Sequence, residues 1–498
     1  MKMQFPVKEI ACLESAVCQV QNLEQTQELR IPEGMPAVGR ILSAWGQILL
    51  RGKQWQGDSV HITGGVLGWV LYEPEDGSAP RCLDSWIPFR MQWDLPEGCR
   101  EGKILAMPLL RYVDARSVSA GKVMLRAGIS VLVQCWCPDT KAVCQPEGQE
   151  ADVELLRGDW PVRLPREAGE KSFELEERLS LPGSAPAVDK LIYYRMEPVV
   201  TEVRVLGNKL VFRGEGDLHI LYLSQEGQLH SWDFSLPFSQ YADLESSLSA
   251  DAQGEVIPAV TRLELDWDAE GGLNLKAGLT GQYLVDDLEV VQTVEDAYSP
   301  FREVTVKQEM LALPAVLDTR RETVYAEQTI PTEADIIADA VFLQDFPRQQ
   351  RGGDAVTLEQ PGTQQVLYYD PQGHLQSLSH RWEGSLSLNA DGSAKIWAFP
   401  MPVQPQVTAG TGGMILRAEV PVQVRSLAGQ GLPMVTELEI GERKQPDPGR
   451  PSLILQRAGG ERLWQIARSC GSTVAAIQEA NGLIGEPEPQ RMLLIPVL

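Results

Sequence analysis

Leu179-Ser180-Leu181-Pro182-Gly183-Ser184-Ala185-Pro186-Ala187-Val188 repeats, with both prolines and the closing valine in step, the earlier stretch Leu29-Arg30-Ile31-Pro32-Glu33-Gly34-Met35-Pro36-Ala37-Val38. Leu179 lies 150 residues after Leu29, and a weaker echo, Gln328-Thr329-Ile330-Pro331, places its proline 149 residues after Pro182. A fixed period settles the architecture before any strand or helix is assigned, because each period is one folding unit. The repeated stretch reads as a domain opening, and the chain divides into units at 1–150, 151–300 and 301–440.

Outward from that stretch, Trp69-Val70-Leu71-Tyr72 answers to His219-Ile220-Leu221-Tyr222 and to Gln365-Val366-Leu367-Tyr368, each followed by a polar turn marked by Gly77, Gly227 or Gly373. Trp86-Ile87-Pro88-Phe89 matches Ser235-Leu236-Pro237-Phe238, whereas the third copy has the diverged Arg381-Trp382-Glu383-Gly384. Each unit closes on a strand-like run beginning at Val123, Leu273 or Met414. The stretch Lys209 to Ile220 alternates apolar and polar residues, which predicts strands with one buried and one wet face. Frequent turn residues predict a mainly β chain of antiparallel sandwiches or open barrels. Tyr72, Tyr222 and Tyr368 read as strand residues packed at a sheet rim, with locally satisfied hydroxyls. Pro88-Phe89 and Pro237-Phe238 read as strand ends anchored in a core.

Three such copies, with the pre-strand Ile-Pro or Leu-Pro, the Leu-Tyr strand end and the Pro-Phe element, resemble the SPOCS domain of endospore-forming bacteria over roughly residues 1 to 428.

Residues 441–452 are rich in Pro, Gly and charge, and predict a semi-stiff linker. Beyond it, Leu453 to Gln456 reads as a strand, Arg462 to Arg468 as a helix stopped by Gly471, and Thr473 as the cap of a second helix ended by Asn481-Gly482. Met492 to Pro496 supplies a second strand. Strand, helix, helix and strand over residues 453–498, with Gly460 ahead of Leu463-Trp464-Gln465-Ile466-Ala467 and Ala480-Asn481-Gly482-Leu483 ahead of a terminal Leu-Ile-Pro, resembles a LysM domain. The resemblance implies a shallow groove for N-acetylated glycans. Gly460, Glu461, Arg462 and Leu463 would form one wall, and Leu483, Ile484, Pro489, Gln490, Arg491 and Met492 the other. Trp464 reads equally as a sugar-stacking ring or as core, and Cys470 as a small apolar filler. Where the family has Gly-Asp-Thr this chain has Gly460-Glu461-Arg462, and where it has Pro-Gly-Gln this chain has Pro489-Gln490-Arg491. Both changes point the groove away from a neutral sugar and toward a charged protein surface.

Composition narrows the function. The 44 Lys and Arg against 68 Asp and Glu give a net charge of −24, which repels phosphate backbones and anionic lipid surfaces, so nucleic acid is not expected as a partner. Charges within Met1 to Ile10 leave no apolar core for a signal peptide. No apolar run is long enough to span a membrane. The eight cysteines contain no C-x-x-C pair, and the local group Cys135, Cys137 and Cys144 lacks zinc-type partners, so reduced thiols and no metal are expected. Five histidines at 61, 219, 230, 374 and 380 adjoin no nucleophile motif, and no phosphate-binding Gly-rich loop occurs. No enzyme and no cofactor are therefore expected. His219 and His230 flank a predicted hairpin and would face one another as ordinary strand histidines, and Asp286-Asp287 reads as a solvated acidic face.

SPOCS-type repeats joined to a LysM domain resemble the clostridial spore-coat morphogenetic proteins. That resemblance implies a mother-cell cytoplasmic adaptor at the forespore surface, whose LysM module binds the sporulation ATPase of the coat's basement layer and whose repeats contact other coat proteins. The alternative reading is a wall-associated protein whose LysM module docks on peptidoglycan glycan.

Overall fold

The computed structural model describes residues 2–145, 152–268, 271–353, 355–390, 393–410, 412–445 and 449–498. Strand β1 spans Lys2–Gln4, and six strands follow: β2 (Val7–Arg30), β3 (Val38–Gln56), β4 (Ser59–Pro74), β5 (Arg81–Asp94), β6 (Lys103–Ser119) and β7 (Lys122–Cys144). The same series returns as β8 (Glu154–Leu179), β9 (Val188–Leu206), β10 (Lys209–Ser224), β11 (Leu229–Asp243), β12 (Gln253–Trp267) and β13 (Leu273–Tyr298). A third series runs β14 (Arg302–Ile330), β15 (Ile336–Gln344), β16 (Arg348–Gly352), β17 (Ala355–Tyr369), β18 (Leu375–Asn389), β19 (Lys395–Pro400), β20 (Gln406–Gly410) and β21 (Gly413–Arg443). A small module of β22 (Leu453–Arg457), α1 (Leu463–Cys470), α2 (Val474–Asn481) and β23 (Met492–Pro496) ends the chain. The expectation of a mainly β protein built of antiparallel sheets holds.

Pairing repeats as well as order. Each series contains a meander, β3-β4-β5, β9-β10-β11 or β15/β16-β17-β18, and a second sheet in which the first long strand pairs with the last, β2 with β7, β8 with β13 and β14 with β21. In the third series β15 and β16 share the place of one strand beside β17, and β19 and β20 divide an edge of β21. The alternation predicted for Lys209 to Ile220 is seen in β10, where Leu210, Phe212, Leu218 and Ile220 are buried while Lys209, Arg213 and Glu215 face solvent.

The repeated Leu-Pro stretch does not open the units. It is the turn joining the first long strand of each series to its meander, and the unit has already run the whole of β2 or β8 before reaching it. Pro88-Phe89 and Pro237-Phe238 are likewise not strand ends but lie inside β5 and β11. Phe89 sits opposite Gly64 and Phe238 opposite Gly214; a β-carbon on Gly64 would meet the Phe89 ring at 2.6 Å, so the aromatic ring fills the space the glycine leaves. In the diverged copy Trp382 stands opposite Gly362, two residues along the same face, but the space that glycine leaves is filled by Phe342, whose ring a β-carbon there would meet at 2.5 Å. Tyr72 and Tyr222 are buried, with the Tyr72 hydroxyl donating to the Pro36 carbonyl at 3.0 Å.

The long pairs change role along their length. Residues 127–137 of β7 and 277–287 of β13 are buried on both faces without interruption. At matching places the ladders slip by one residue, leaving Ala16, Arg166 and Leu317 unpaired. Such bulges bend a strand and sharpen its twist, which lets each long pair leave its own sandwich and enter a shared centre. There Ile10 and Val143, Val162 and Val291, and Leu313 and Leu438 form one core from all three series. Strand β1 pairs with Glu437–Glu439 of β21, so the first and third series are also joined through the backbone.

The interdomain segment is shorter than the expected 441–452, because Gly441–Arg443 belong to β21 and Lys444 still bonds to the Phe301 carbonyl. Residues 446–448 of that segment lie outside the described residues.

Candidate functional site

The C-terminal module is built on a two-stranded sheet in which Ile454 pairs with Ile495 and Leu455 with Leu494. Thr473 caps α2 by accepting from the Ala476 N–H at 3.1 Å, and the left-handed residues Gly471 and Gly482 close the two helices. Asn481 mimics a backbone unit: its Nδ2 donates to the Leu494 carbonyl at 2.6 Å and its Oδ1 accepts from the Leu494 N–H at 2.7 Å. These two bonds fix α2 to β23 and set the position of everything between them.

The loop before α1 and the segment from α2 to β23 meet through the Leu463–Glu486 hydrogen bond, and the eleven residues expected to line a groove there differ in exposure. Ile484 and Met492 are exposed apolar side chains, Glu461, Arg462, Pro489, Gln490 and Arg491 are exposed, and Leu483 is partly buried. Gly460 supplies backbone only, at a φ of 104° that favours glycine. Leu463 is 1% exposed, so its side chain belongs to the core and only its N–H reaches the groove. That N–H donates to the Glu486 carboxylate at 2.7 Å from the opposite wall, while the Arg462 N–H donates to the Gln465 side chain at 3.2 Å. Sequence reading missed Glu486. An acidic side chain bound to the first N–H of α1 completes a helix end whose preceding residue, Arg462, offers no acceptor.

Trp464 resolves in favour of the core. Its ring packs edge-on against Tyr298 with centroids 4.7 Å apart, and its Nε1–H donates to Asp296 at 2.9 Å. Arg468 also binds Asp296, and the Tyr298 hydroxyl donates to the Ser472 carbonyl at 3.0 Å. The end of β13 therefore holds α1 from behind, which commits the indole and leaves the opposite wall free to face outward. Nothing in the sequence near Asp296 or Tyr298 marks them as partners of a helix about 170 residues later.

Gln490 has a φ of 69°, the left-handed conformation that glycine adopts freely and a side-chain-bearing residue adopts at a cost. The turn is held by the Gln490 N–H donating to the Ala458 carbonyl at 2.8 Å and the Ala458 N–H to the Arg491 carbonyl at 2.8 Å. Replacing Gln490→Gly should relieve the strain and stabilise the module by about 1 kcal/mol. Amide hydrogen exchange at Leu493 and Ile495 checks this, with slower exchange expected in the variant.

Two polar clusters in the body correct the reading of His219, His230 and Asp286-Asp287. His219 and His230 do not face one another: His230 lies over Tyr222, while His219 reaches Asp233 at 2.7 Å through Nδ1 and Asp339 at 2.8 Å through Nε2. Burial lowers the His219 pKa, but the two carboxylates outweigh it and raise the pKa to about 9. An imidazolium with both N–H groups committed has no lone pair to act as a general base. The Tyr193 hydroxyl also donates to Asp339, at 3.1 Å. Asp286 is 2% exposed, and its carboxylate binds the buried Arg425 at 2.7 Å, so this acidic pair is interior and not a solvated face. Asp287 accepts from the Ser249 N–H at 2.9 Å and from its hydroxyl.

The cysteines group differently in space than in sequence. Cys144 enters the central core, where its N–H meets the Met434 sulfur, while Cys137 contacts Cys99 across 2.7 Å.

A chain of repeated two-sheet β units carrying a small strand-helix-helix-strand module is the class that fold and site define. A family model described as SipL, SPOCS domain matches residues 187–266, which hold the second meander and β12. The match supports a SipL-like, sporulation-related protein. No curated protein and no solved structure matches the chain. Among the described residues no helix is long and apolar enough to cross a membrane.

Proposed function

We propose that this chain is a non-enzymatic adaptor of endospore coat assembly, working in the mother-cell cytoplasm at the forespore surface. Its C-terminal module is a LysM domain whose groove binds the basement-layer sporulation ATPase, and its three SPOCS repeats hold further coat proteins. The SPOCS match at residues 187–266 carries this reading, joined to the module that the same chain presents.

The groove's chemistry supports a protein partner over a glycan. Glu486 already occupies the Leu463 N–H, and Gln490 puts a side chain at a turn where glycine would let a sugar approach the backbone. What remains outward is apolar Ile484 and Met492 together with charged Glu461, Arg462, Glu486 and Arg491, a mixture of apolar and charged side chains of the kind found in protein interfaces. Several modest sites on one chain gain effective concentration against a polymerised partner, by roughly 10²–10⁴-fold.

A fluorescent fusion of the full chain, followed in sporulating cells, tests the proposal. The wild type should encircle the forespore, and Ile484→Asp should remain spread through the mother cell at an unchanged protein level. Forespore localisation retained by the variant, or a wild-type signal in the cell wall, would overturn it.

A further inference from the structure

Cys99 lies in the segment that leaves β5 for the second sheet, and Cys137 lies near the end of the fully buried stretch of β7. Their sulfurs are 2.7 Å apart. Two features hold the segment there. Its turn is closed by the Cys99 N–H donating to the Pro96 carbonyl at 3.3 Å, with Gly98 at a φ of 77°. A few residues on, the chain passes so close to β7 that a β-carbon on Gly102 would meet the Trp136 carbonyl oxygen at 2.0 Å.

The repeat shows what this position does. Adding the 150-residue period to Cys99 and Cys137 gives Ser249 and Asp287, and Glu14, the cross-strand partner of Cys137, likewise becomes Leu164, the partner of Asp287. In the second unit Ser249 donates both its N–H and its hydroxyl to the Asp287 carboxylate, a charge-assisted lock between the loop and the last long strand. The first unit has two thiols at the same place. A thiol is a weak donor and a weak acceptor, so the reduced pair holds the loop far less firmly than its counterpart does.

We propose that Cys99 and Cys137 are a redox modification site, whose disulfide locks the loop of the first unit as the Ser249–Asp287 contact locks that of the second. With hydrogen peroxide as oxidant, the Cys99 sulfur attacks one peroxide oxygen, the O–O bond breaks, and one water leaves behind a sulfenic acid. The Cys137 sulfur then attacks the Cys99 sulfur, the S–O bond breaks, and a second water leaves as the S–S bond forms. Two thiols lose two hydrogens and two electrons, and one peroxide is reduced to two waters. The half-buried Cys99 meets the oxidant first, because Cys137 is 8% exposed and burial pushes its thiol up to about 12.

The test treats the full chain with dilute hydrogen peroxide, blocks free thiols in denaturant and maps the unreduced digest by mass spectrometry. The expected result is one cross-linked pair joining the Cys99 and Cys137 peptides, two hydrogens lighter than the free peptides together and separated by dithiothreitol. The thermal midpoint of the oxidised chain should rise by a few degrees, since the bond closes a loop of about 40 residues, and Cys99→Ser should show neither effect. Recovery of both cysteines as alkylated thiols, over-oxidation of Cys99 without a cross-link, or a cross-link between other cysteines would overturn the proposal.

Discussion

Asp339→Ala is expected to lower the unfolding free energy by about 3–5 kcal/mol at neutral pH, the usual cost of leaving a buried charge without its partner. Asp339 is 2% exposed and lies on β15, yet it accepts from His219 of β10 and from Tyr193 of β9, so one carboxylate joins the second series to the third. Its loss leaves an imidazolium and a phenol facing each other in the interior beside the Arg195–Glu197 ion pair, with the surface carboxylate Asp233 as the remaining hydrogen-bond partner of His219. The same site gives a pH dependence whose sign is fixed. The folded pKa of His219, about 9, lies above its ordinary value near 6.5. The folded state therefore binds this proton more tightly than the unfolded chain, and the stabilisation is complete below pH 6.5 and lost as pH rises through 9. The shift corresponds to about 3 kcal/mol. Urea unfolding between pH 6 and 10 checks it: the wild type should lose stability across that window, and the loss should be much reduced in Asp339→Ala.

Arg425→Ala is expected to be comparably damaging, again by about 3–5 kcal/mol. Arg425 is 2% exposed on β21 and meets Asp286 of β13 at 2.7 Å and Glu255 of β12 at 3.5 Å. Removing it opens a cavity, takes the arginine from Glu255 and leaves Asp286 with Arg163 at 3.5 Å. Burial raises the Glu255 pKa and Arg425 opposes that rise, so without the arginine Glu255 should take up a proton and recover part of the loss at low pH. Chemical denaturation at pH 7 and pH 5 measures both effects, and a variant that gains relative stability at pH 5 fits the account. Arg425→Ala/Asp286→Asn should be less unstable than Arg425→Ala alone, because it removes a charge that the single variant leaves buried.

What sequence could reveal was whatever recurs locally. The alternation in β10, the glycines that end α1 and α2 and the Thr473 cap are each set by a few neighbouring residues, and each is found in the structure. The repeated Leu-Pro stretch was legible as a repeat but not as the inside of a unit, because the long strand before it, β2 or β8, carries mostly exposed and half-buried side chains and so offers no apolar run that marks where the unit starts. Asp286 looked like part of a solvated face because the residue that neutralises it, Arg425, is 139 positions away. His219 and Asp339 are separated by 120 positions, and Trp464 and Asp296 by 168. Contacts of this kind follow from how the three series and the module pack together, and no short motif encodes them. Glu486 was the one missed groove residue with a local signal, a carboxylate in a loop facing a helix that lacked an acceptor at its start.

The groove itself is tested most directly by titrating the full chain against purified basement-layer ATPase and, in parallel, against soluble peptidoglycan fragments, using wild type and Ile484→Asp. Ile484 is fully exposed, so the substitution should leave the thermal midpoint unchanged. The account predicts saturable binding to the ATPase, weakened roughly tenfold or more by Ile484→Asp, with no saturation by glycan. Tight glycan binding together with ATPase binding that is absent, or that ignores the Ile484 substitution, would contradict it.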